Sequence, residues 1–167
     1  MAEVEFLDFR IKVKEAMEEA LIAGLHEAAG ELEARAKRNS RQGHKYGGIQ
    51  ATELWKHQVD ESAMEASVGS PHEAGYWEEF GTGEHALNGD GRKGWWVYVE
   101  GEDSGDGGKS YATREEAEAA AEFLRKVAKL DAYATNGIDP NRPLHRAFNS
   151  ARPVVQAIFE DKLKGLG

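Results

Sequence analysis

Two adjacent carboxylates, Glu78 and Glu79, lie in the segment GYWEEFGTGEH, residues 75–85. A pair of carboxylates catalyses acid–base chemistry when the fold holds the groups on opposite sides of a substrate bond and in different environments. Adjacent residues of a helix point in different directions, so the sequence argues against a catalytic pair. We expect one of the two to be buried and the other exposed. We also expect Glu79, beside Phe80, to accept hydrogen bonds from the backbone amides of the following glycine turn.

The glycines of Gly81-Thr82-Gly83 raise the question of a phosphate-binding loop. Such a loop needs a longer glycine pattern between a strand and the first turn of a helix, often with a lysine and a hydroxyl residue at fixed spacing. Here the glycines follow an aromatic segment, which predicts a short helix anchored in the core and a turn that glycine permits. The residues of this structural corner are Tyr76, Glu79, Phe80, Gly81, Thr82 and Gly83.

The histidines and serines form no pattern that is typical of a metal site or a nucleophile. The six histidines, at positions 26, 44, 57, 72, 85 and 145, make no HxH or HExxH pair, and no GxSxG motif surrounds a serine. The chain has no cysteine, which excludes disulfides and thiolate metal sites. We therefore expect no metal and no cofactor, and an enzyme with a site that these motifs do not reveal stays an open alternative.

Length and charge restrict the class of protein and its partners. The chain has 167 residues, of which 30 are acidic and 21 basic, so its formal net charge is −9. This length fits one domain, residues 1–167, and the net acidity disfavours bulk attraction to nucleic acid or anionic membranes. The start of the sequence, MAEVEFLDFR, does not resemble a secretory leader, and no apolar run approaches ~18 residues. We expect a soluble protein that is made in the cytoplasm and has no membrane partner.

Periodicity predicts the first elements. Apolar residues recur every three or four positions from Phe6 to Ala36, which indicates an amphipathic helix of about 30 residues. Asp8 is a candidate N-cap of this helix. Alternation of polar and apolar residues from Thr52 to Ser70 predicts a hairpin that turns near residues 60–62 and packs on the long helix.

The end of the chain is predicted to be a second long helix. Pro140 and Pro143 begin it, Gly165 ends it, and Pro153 indicates a kink or a later start. This helix and the preceding elements would form a core of about residues 6–83 and 138–165.

Residues 84–137 are predicted to be an insertion in this core. The residues from Trp95 to Val99 favour a strand, with a short return strand at Ser110-Tyr111. A helix follows, in which Thr113 and Glu116 have capping-box spacing. The expected fold class is α+β: a long N-terminal helix packed on a small antiparallel β-sheet, with an inserted hairpin and helix and a C-terminal helix.

Two segments are candidate interfaces. Residues 41–50, RQGHKYGGIQ, are typical of a flexible polar loop, or they form part of a basic finger, residues 37–45, that touches nucleic acid or an acidic protein. Residues 91–98, GRKGWWVY, combine basic and aromatic residues as single-stranded nucleic acid platforms do; a strand with tryptophans in the core or a subunit interface is the other interpretation. The candidate interface residues are Arg41, His44, Lys45, Arg92, Lys93, Trp95 and Trp96. A small nucleic-acid-binding protein that uses them is the alternative function.

The segment VGSPHEAGYWEEFGTG resembles the one that marks a family of tailed-bacteriophage tail-component, tail-completion or head-tail joining proteins. Members carry valine-glycine-serine at a strand end, a tyrosine in a turn of helix, and then glutamate-phenylalanine-glycine-threonine. A second mark is a proline, a bulky apolar residue and an arginine before the last helix, followed by an alanine and a phenylalanine or leucine. The matching residues here are Val68, Gly69, Ser70, Tyr76, Glu79, Phe80, Gly81, Thr82, Pro143, Leu144, Arg146, Ala147 and Phe148.

The chain departs from the family pattern in two places. The threonine-glycine-arginine-leucine stretch that relatives carry before the first strand is only echoed by YGGIQATELW, and residues 84–137 are longer than the corresponding family segment. These departures affect the expected contacts more than the expected fold and role.

The resemblance implies a non-enzymatic structural virion protein of the head-tail neck, with a tail-completion or tail-terminator-like role. It implies a homo-oligomeric ring, expected to be a hexamer, that joins the tail tube to the connector and surrounds the DNA channel. The implied partners are tail-tube, tail-terminator or head-connector proteins, while DNA passes without sequence-specific binding. The protein would assemble in the host cytoplasm and remain in the virion. An acidic channel lining is our added hypothesis, since repulsion would keep DNA from adhering.

Overall fold

A computed structural model describes residues 9–100 and 108–166, with side chains from residue 13 onward. The candidate cap Asp8 lies outside the described residues. Two long helices dominate: α1 (Phe9–Asn39) and α4 (Pro143–Lys164). Within the described residues, no helix combines the length and the apolar character that crossing a membrane requires.

Helices α1 and α4 pack antiparallel. The amide of Asn39 donates to the carbonyl of Pro143 at 3.2 Å, and Arg35 donates to the carbonyl of Ser150 at 3.1 Å. Further along, Phe159 lies so close to Gly24 that a Cβ there would be 2.6 Å from its ring. Small residues make this close approach possible, and the buried ones are Ala28, Ala29, Ala36, Ala147 and Ala151.

The start of α4 has the predicted helix signals. Pro143 is in the first turn, where its missing N–H is tolerated, and Gly165 follows the last helical residue. Arg142 precedes the helix in the left-handed conformation, with φ 55°. The helix continues through Pro153, so the prediction of a later start there is wrong.

The predicted hairpin is confirmed. Strands β3 (Lys56–Asp60) and β4 (Glu65–Gly69) are antiparallel, and Asp60 organises the turn by accepting bonds from the backbone of Ser62 and Ala63, both at 3.0 Å. The hairpin packs on α1, where a Glu33 carboxylate oxygen accepts a bond from the backbone N–H of His57 at 2.9 Å.

Residues 41–50 contain a short hairpin where a loop was predicted. Strands β1 (Lys45–Tyr46) and β2 (Ile49–Gln50) pair across Gly47 and Gly48, whose positive φ values of 54° and 89° suit a tight hairpin turn. A single turn of 3₁₀ helix (Ala51–Glu53) follows. The main core lies here, because Tyr46, Leu54 and Trp55 are buried against the end of α1.

The structural corner follows this core. Helix α2 (Glu73–Phe80) ends at Gly81, and a turn of 3₁₀ helix (Gly83–His85) comes next. Gly81 and Gly83 have φ values of 74° and 61°, which confirms that glycine permits this turn.

The inserted region forms a unit with its own small core. Strands β5 (Trp96–Val99) and β6 (Ala132–Thr135) are antiparallel. In the sequence, α3 (Arg114–Phe123) and a π-helical turn (Leu124–Ala128) lie between them. Buried residues of this core are Val99, Ala121 and Ala132. Thr113 caps α3 as predicted, since its hydroxyl accepts from the N–H of Glu116 at 3.2 Å.

The predicted return strand at Ser110-Tyr111 is wrong. Tyr111 makes only an isolated bridge with Trp95, and the true partner of β5 is β6. The α+β class, with long first and last helices and small antiparallel sheets, is confirmed. The strands named above form three separate pairs instead of one sheet.

Candidate functional site

Glu78 is fully buried in α2, with 0% of its surface exposed. One carboxylate oxygen accepts from Nη1 of Arg41 at 2.6 Å and from the phenol of Tyr46 at 2.5 Å. The other accepts from the backbone N–H of Arg41 at 3.0 Å and from Nδ2 of Asn141 at 2.6 Å. The carboxylate therefore ties the end of α1, the β1–β2 hairpin and the segment before α4 to α2.

These contacts keep Glu78 ionised. Burial alone would raise its pKa, but the hydrogen bonds from Tyr46, Arg41 and Asn141 and the charge of Arg41 outweigh burial and hold the pKa below its usual value. Burial and the bond to Glu78 together raise the pKa of the Tyr46 phenol, so it remains a proton donor. The guanidinium of Arg41 also donates to the carbonyl of Asp139.

Glu79 is 7% exposed and binds the first turn of α4. Its oxygens accept from the backbone N–H of Leu144 at 2.8 Å and of His145 at 3.0 Å. The first amides of a helix have no partner within the helix, so this carboxylate caps α4 from outside. Glu79 does bind backbone amides, but those of α4 and not those of the glycine turn. The expectation that one of the two glutamates is exposed is also wrong, because Glu78 is enclosed by Arg41 and Asn141 and Glu79 is covered by the first turn of α4.

The two carboxylates make structural contacts. Their oxygens are occupied by donors of the protein itself, and among the described residues no buried side-chain nitrogen or oxygen lacks a hydrogen-bond partner. The same residues include no cluster of three or more histidines, aspartates or glutamates that could hold a metal ion.

An apolar groove lies beside the corner, and we call it the α2–α4 groove. It is an open cavity of about 680 Å³ between the β4–α2 connection and the start of α4. Its apolar lining residues are Trp55, Pro71, Tyr76, Phe80, Leu144 and Phe148, and Glu79 also lines it. Tyr76 of α2 is 47% exposed, so it does not anchor this helix in the core as we expected, and Phe148 of α4 is 49% exposed.

Thr82 of the corner and Arg146 near the start of α4 make hydrogen bonds within the fold. The hydroxyl of Thr82 accepts from the N–H of Ile138 at 3.1 Å, and the backbone N–H of Thr82 donates to the carbonyl of Ile138 at 3.0 Å. The side chain of Arg146 donates to Asn141 at 2.9 Å and to the carbonyl of Asn39. Pro143 is fully buried, and its carbonyl accepts from Asn39, so the start of α4 is joined to the end of α1.

The candidate interface residues of the first segment have different roles. Arg41 is the ion-pair partner of the buried Glu78, and its side chain is 29% exposed, so its place in an interface stays a prediction. His44 and Lys45 are exposed on the β1–β2 hairpin. The ring of His44 lies edge-on to the ring of Tyr46, with centroids 4.5 Å apart.

The second candidate segment belongs to the inserted unit. The guanidinium of Arg92 lies over the ring of Trp96, 4.9 Å from its centroid, and Lys93 is exposed. Arg114 lies 5.8 Å from the ring centroid of Trp95. Both tryptophans are half-buried, and Trp96 lies directly against Gly83 of the corner.

Sequence reasoning did not find the α2–α4 groove or the internal partners of Glu78. The available signal was the apolar character of Tyr76 and Phe148, which indicates burial as readily as a docking surface. Three comparisons, with protein-family models, with curated proteins and with solved structures, found no match to this chain.

Proposed function

We propose that the chain is a non-enzymatic structural component of the head-tail neck of a tailed bacteriophage. In this role it forms a ring of identical subunits between the tail tube and the connector and remains in the virion. The observation that carries the proposal is the link between Glu79 and the first turn of α4. It joins the two sequence segments on which the family resemblance depends.

The α2–α4 groove supports binding to another polypeptide. Its walls are mostly aromatic and aliphatic, with Arg142 and His145 at one edge and Glu73 at the other. Grooves of this composition accept amphipathic segments of proteins. Its inner carboxylate, Glu79, is already bonded to α4, which disfavours chemistry at the base of the groove.

The charge of the chain supports a channel that DNA passes without adhering. A net charge of −9 repels phosphate, so a ring of such subunits would offer few binding sites to passing DNA. We propose that the surplus acidic residues line this channel. A ring structure with a basic lumen would contradict this part of the proposal.

Mass measurements test the assembly role. The purified chain, alone and mixed with tail-tube, tail-terminator or head-connector proteins from the same phage, would be examined by light scattering and electron microscopy. We expect a closed ring and a specific complex with at least one of these partners. A chain that is monomeric in every mixture, and absent from purified virions by mass spectrometry, would contradict the proposal.

DNA binding tests the alternative function. Nucleic-acid affinity that depends on Lys45 and Lys93 and falls steeply with salt would favour a nucleic-acid-binding protein. We expect no measurable binding at micromolar protein and physiological salt. The charge of Arg41 is already paired with Glu78, which disfavours the alternative function.

A further inference from the structure

Two asparagines of the chain precede a glycine: Asn88 precedes Gly89, and Asn136 precedes Gly137. In such a pair the backbone nitrogen of the glycine can attack the side-chain amide carbon of the asparagine. Glycine favours this attack because it has no side chain that shields its nitrogen or restricts its backbone. The two atoms must still approach each other, and the surrounding fold permits or prevents that approach. The two pairs differ in this respect.

The pair Asn88-Gly89 lies in an exposed turn. Both residues are exposed, and apart from the chain neighbours no heavy atom lies within 4 Å of the position that a Cβ of Gly89 would occupy. The backbone N–H of Gly89 donates to the carbonyl of Ala86 at 3.0 Å, which is a turn bond outside any helix or strand. Exposed turns open locally at a low cost in free energy, and each opening frees the nitrogen of Gly89.

The side chain of Asn88 contacts the protein through an exposed partner. Its Nδ2 donates to the phenol oxygen of Tyr76 at 2.8 Å, and Tyr76 is itself 47% exposed. Because water competes for both groups, this bond restrains the amide less than a buried bond would. The amide carbon of Asn88 is therefore accessible to the glycine nitrogen and to solvent.

The pair Asn136-Gly137 is held by the corner. The carbonyl of Asn136 accepts from the backbone N–H of Glu84 at 2.9 Å, and the N–H of Gly137 donates to the hydroxyl of Thr135 at 3.0 Å. A Cβ on Gly137 would lie 2.1 Å from the carbonyl oxygen of Thr82, so the backbone of the corner lies directly against this glycine. A backbone rotation that aims the nitrogen of Gly137 at the side chain of Asn136 would break these close-packed contacts.

We propose that Asn88 is a site of spontaneous deamidation and that the fold protects Asn136 from the same reaction. The nitrogen of Gly89 forms a bond with Cγ of Asn88, the Cγ–Nδ2 bond breaks, and ammonia leaves with the proton of the attacking amide. Water then opens the resulting succinimide ring at one of its two carbonyl carbons. One opening gives aspartate at position 88, and the other gives isoaspartate, in which the backbone passes through the former side-chain carbon.

The modification changes the rim of the α2–α4 groove. Tyr76 lines this groove, and Asn88 is bonded to its phenol. An ionised aspartate cannot donate a hydrogen bond, so the phenol must become the donor, and a negative charge is added beside a mainly apolar surface. Isoaspartate also lengthens the backbone by one carbon and alters the turn. The groove therefore changes with the age of the protein. The reaction needs no partner, so it is independent of the proposed function.

Peptide mapping of aged protein tests the site. The purified wild type would be incubated for several weeks at neutral pH, digested and analysed by mass spectrometry, with chromatography to separate aspartate from isoaspartate. A sample digested before the incubation corrects for modification during handling. We expect the peptide that contains position 88 to become deamidated, with both products present. The peptide that contains Asn136 should be modified more slowly by roughly tenfold or more, because the corner must open first.

Unfolded protein is the matched control. In urea the corner no longer exists, so the peptides that contain Asn88 and Asn136 should be deamidated at similar rates. The variant Asn88→Gln should lose the fast reaction and keep the slow one at Asn136, because attack on glutamine requires a larger ring. Equal rates at the two sites in the folded protein, or a faster reaction at Asn136, would overturn the inference. A folded protein that keeps Asn88 intact while the unfolded protein reacts would overturn it as well.

Discussion

The carboxylate of Glu79 accepts a hydrogen bond from the backbone N–H of Leu144, at 2.8 Å and across 65 positions of sequence. Together with the bond from His145, it satisfies two first-turn amides of α4 that the helix itself cannot. The cap therefore joins α2 directly to the segment that begins α4.

Removal of this cap should weaken the fold. Glu79→Ala leaves two amides near the buried start of α4 without their acceptor, and we expect a loss of about 2 kcal/mol in the free energy of unfolding. Urea unfolding followed by circular dichroism measures this loss. Glu73→Ala, an exposed glutamate in the first turn of the same helix, is the control and should change stability by less than about 0.5 kcal/mol. Equal effects of the two substitutions would contradict the capping role.

Arg41 and Lys45 should respond differently to the same substitution. Arg41→Met leaves the buried carboxylate of Glu78 without its charged partner, and breaking a buried pair from one side costs about 3–5 kcal/mol. Lys45→Met removes an exposed charge on the β1–β2 hairpin and should change stability by less than about 0.5 kcal/mol. Thermal unfolding compares the two variants. A stable Arg41→Met protein with impaired assembly would contradict the structural role and support an interface role for Arg41.

The elements that sequence reasoning predicted correctly depend on local patterns. The long helix α1 follows from apolar spacing, the β3–β4 hairpin from alternation, and the start of α4 from Pro143. Each of these signals involves residues within a few positions of one another. They determine the class of the fold without any knowledge of tertiary contacts.

The incorrect predictions depend on distant contacts. Strand β6 has the sequence AYAT, which carries little strand signal, and its pairing with β5 crosses an intervening helix. Glu78 binds Arg41 and Asn141, which lie 37 and 63 positions away. The exposure of Tyr76 depends on which element covers α2, and periodicity does not report this.

The free energy of unfolding should decrease in acid because the carboxylate of Glu33 becomes protonated. Burial tends to raise its pKa, but hydrogen bonds from Lys37 and His57 outweigh burial and lower the pKa from 4.5 to about 2. A carboxyl whose pKa is lower in the folded state contributes stability above its unfolded pKa, and this contribution is lost as the pH falls toward the folded value. We therefore expect stability to decrease between about pH 5 and pH 2.

The variant Glu33→Gln isolates this contribution. Its stability should depend less steeply on pH in that interval than the stability of the wild type, as measured by urea unfolding at several pH values. Glu53→Gln, at an exposed position in the 3₁₀ turn before β3, serves as the control and should keep the wild-type slope. Equal slopes for wild type and Glu33→Gln would contradict the assignment.

Two glycines with positive φ, Gly83 of the corner and Gly89 beyond it, provide a test that separates backbone strain from steric collision. Gly83→Ala places a Cβ 2.1 Å from the carbonyl oxygen of Asn136 and 2.5 Å from the ring of Trp96, at a φ of 61°. Gly89→Ala has a similar φ of 72°, but no heavy atom lies within 4 Å of its new Cβ. Strain alone should cost Gly89→Ala about 1 kcal/mol, whereas strain and collision should cost Gly83→Ala about 3 kcal/mol or more. Thermal unfolding of the two variants measures the difference. The collision in Gly83→Ala should also loosen the inserted unit, because Trp96 anchors that unit against the corner. Equal losses in the two variants would mean that the corner accommodates a side chain, and the close contact between Gly83 and the inserted unit would then not contribute to stability.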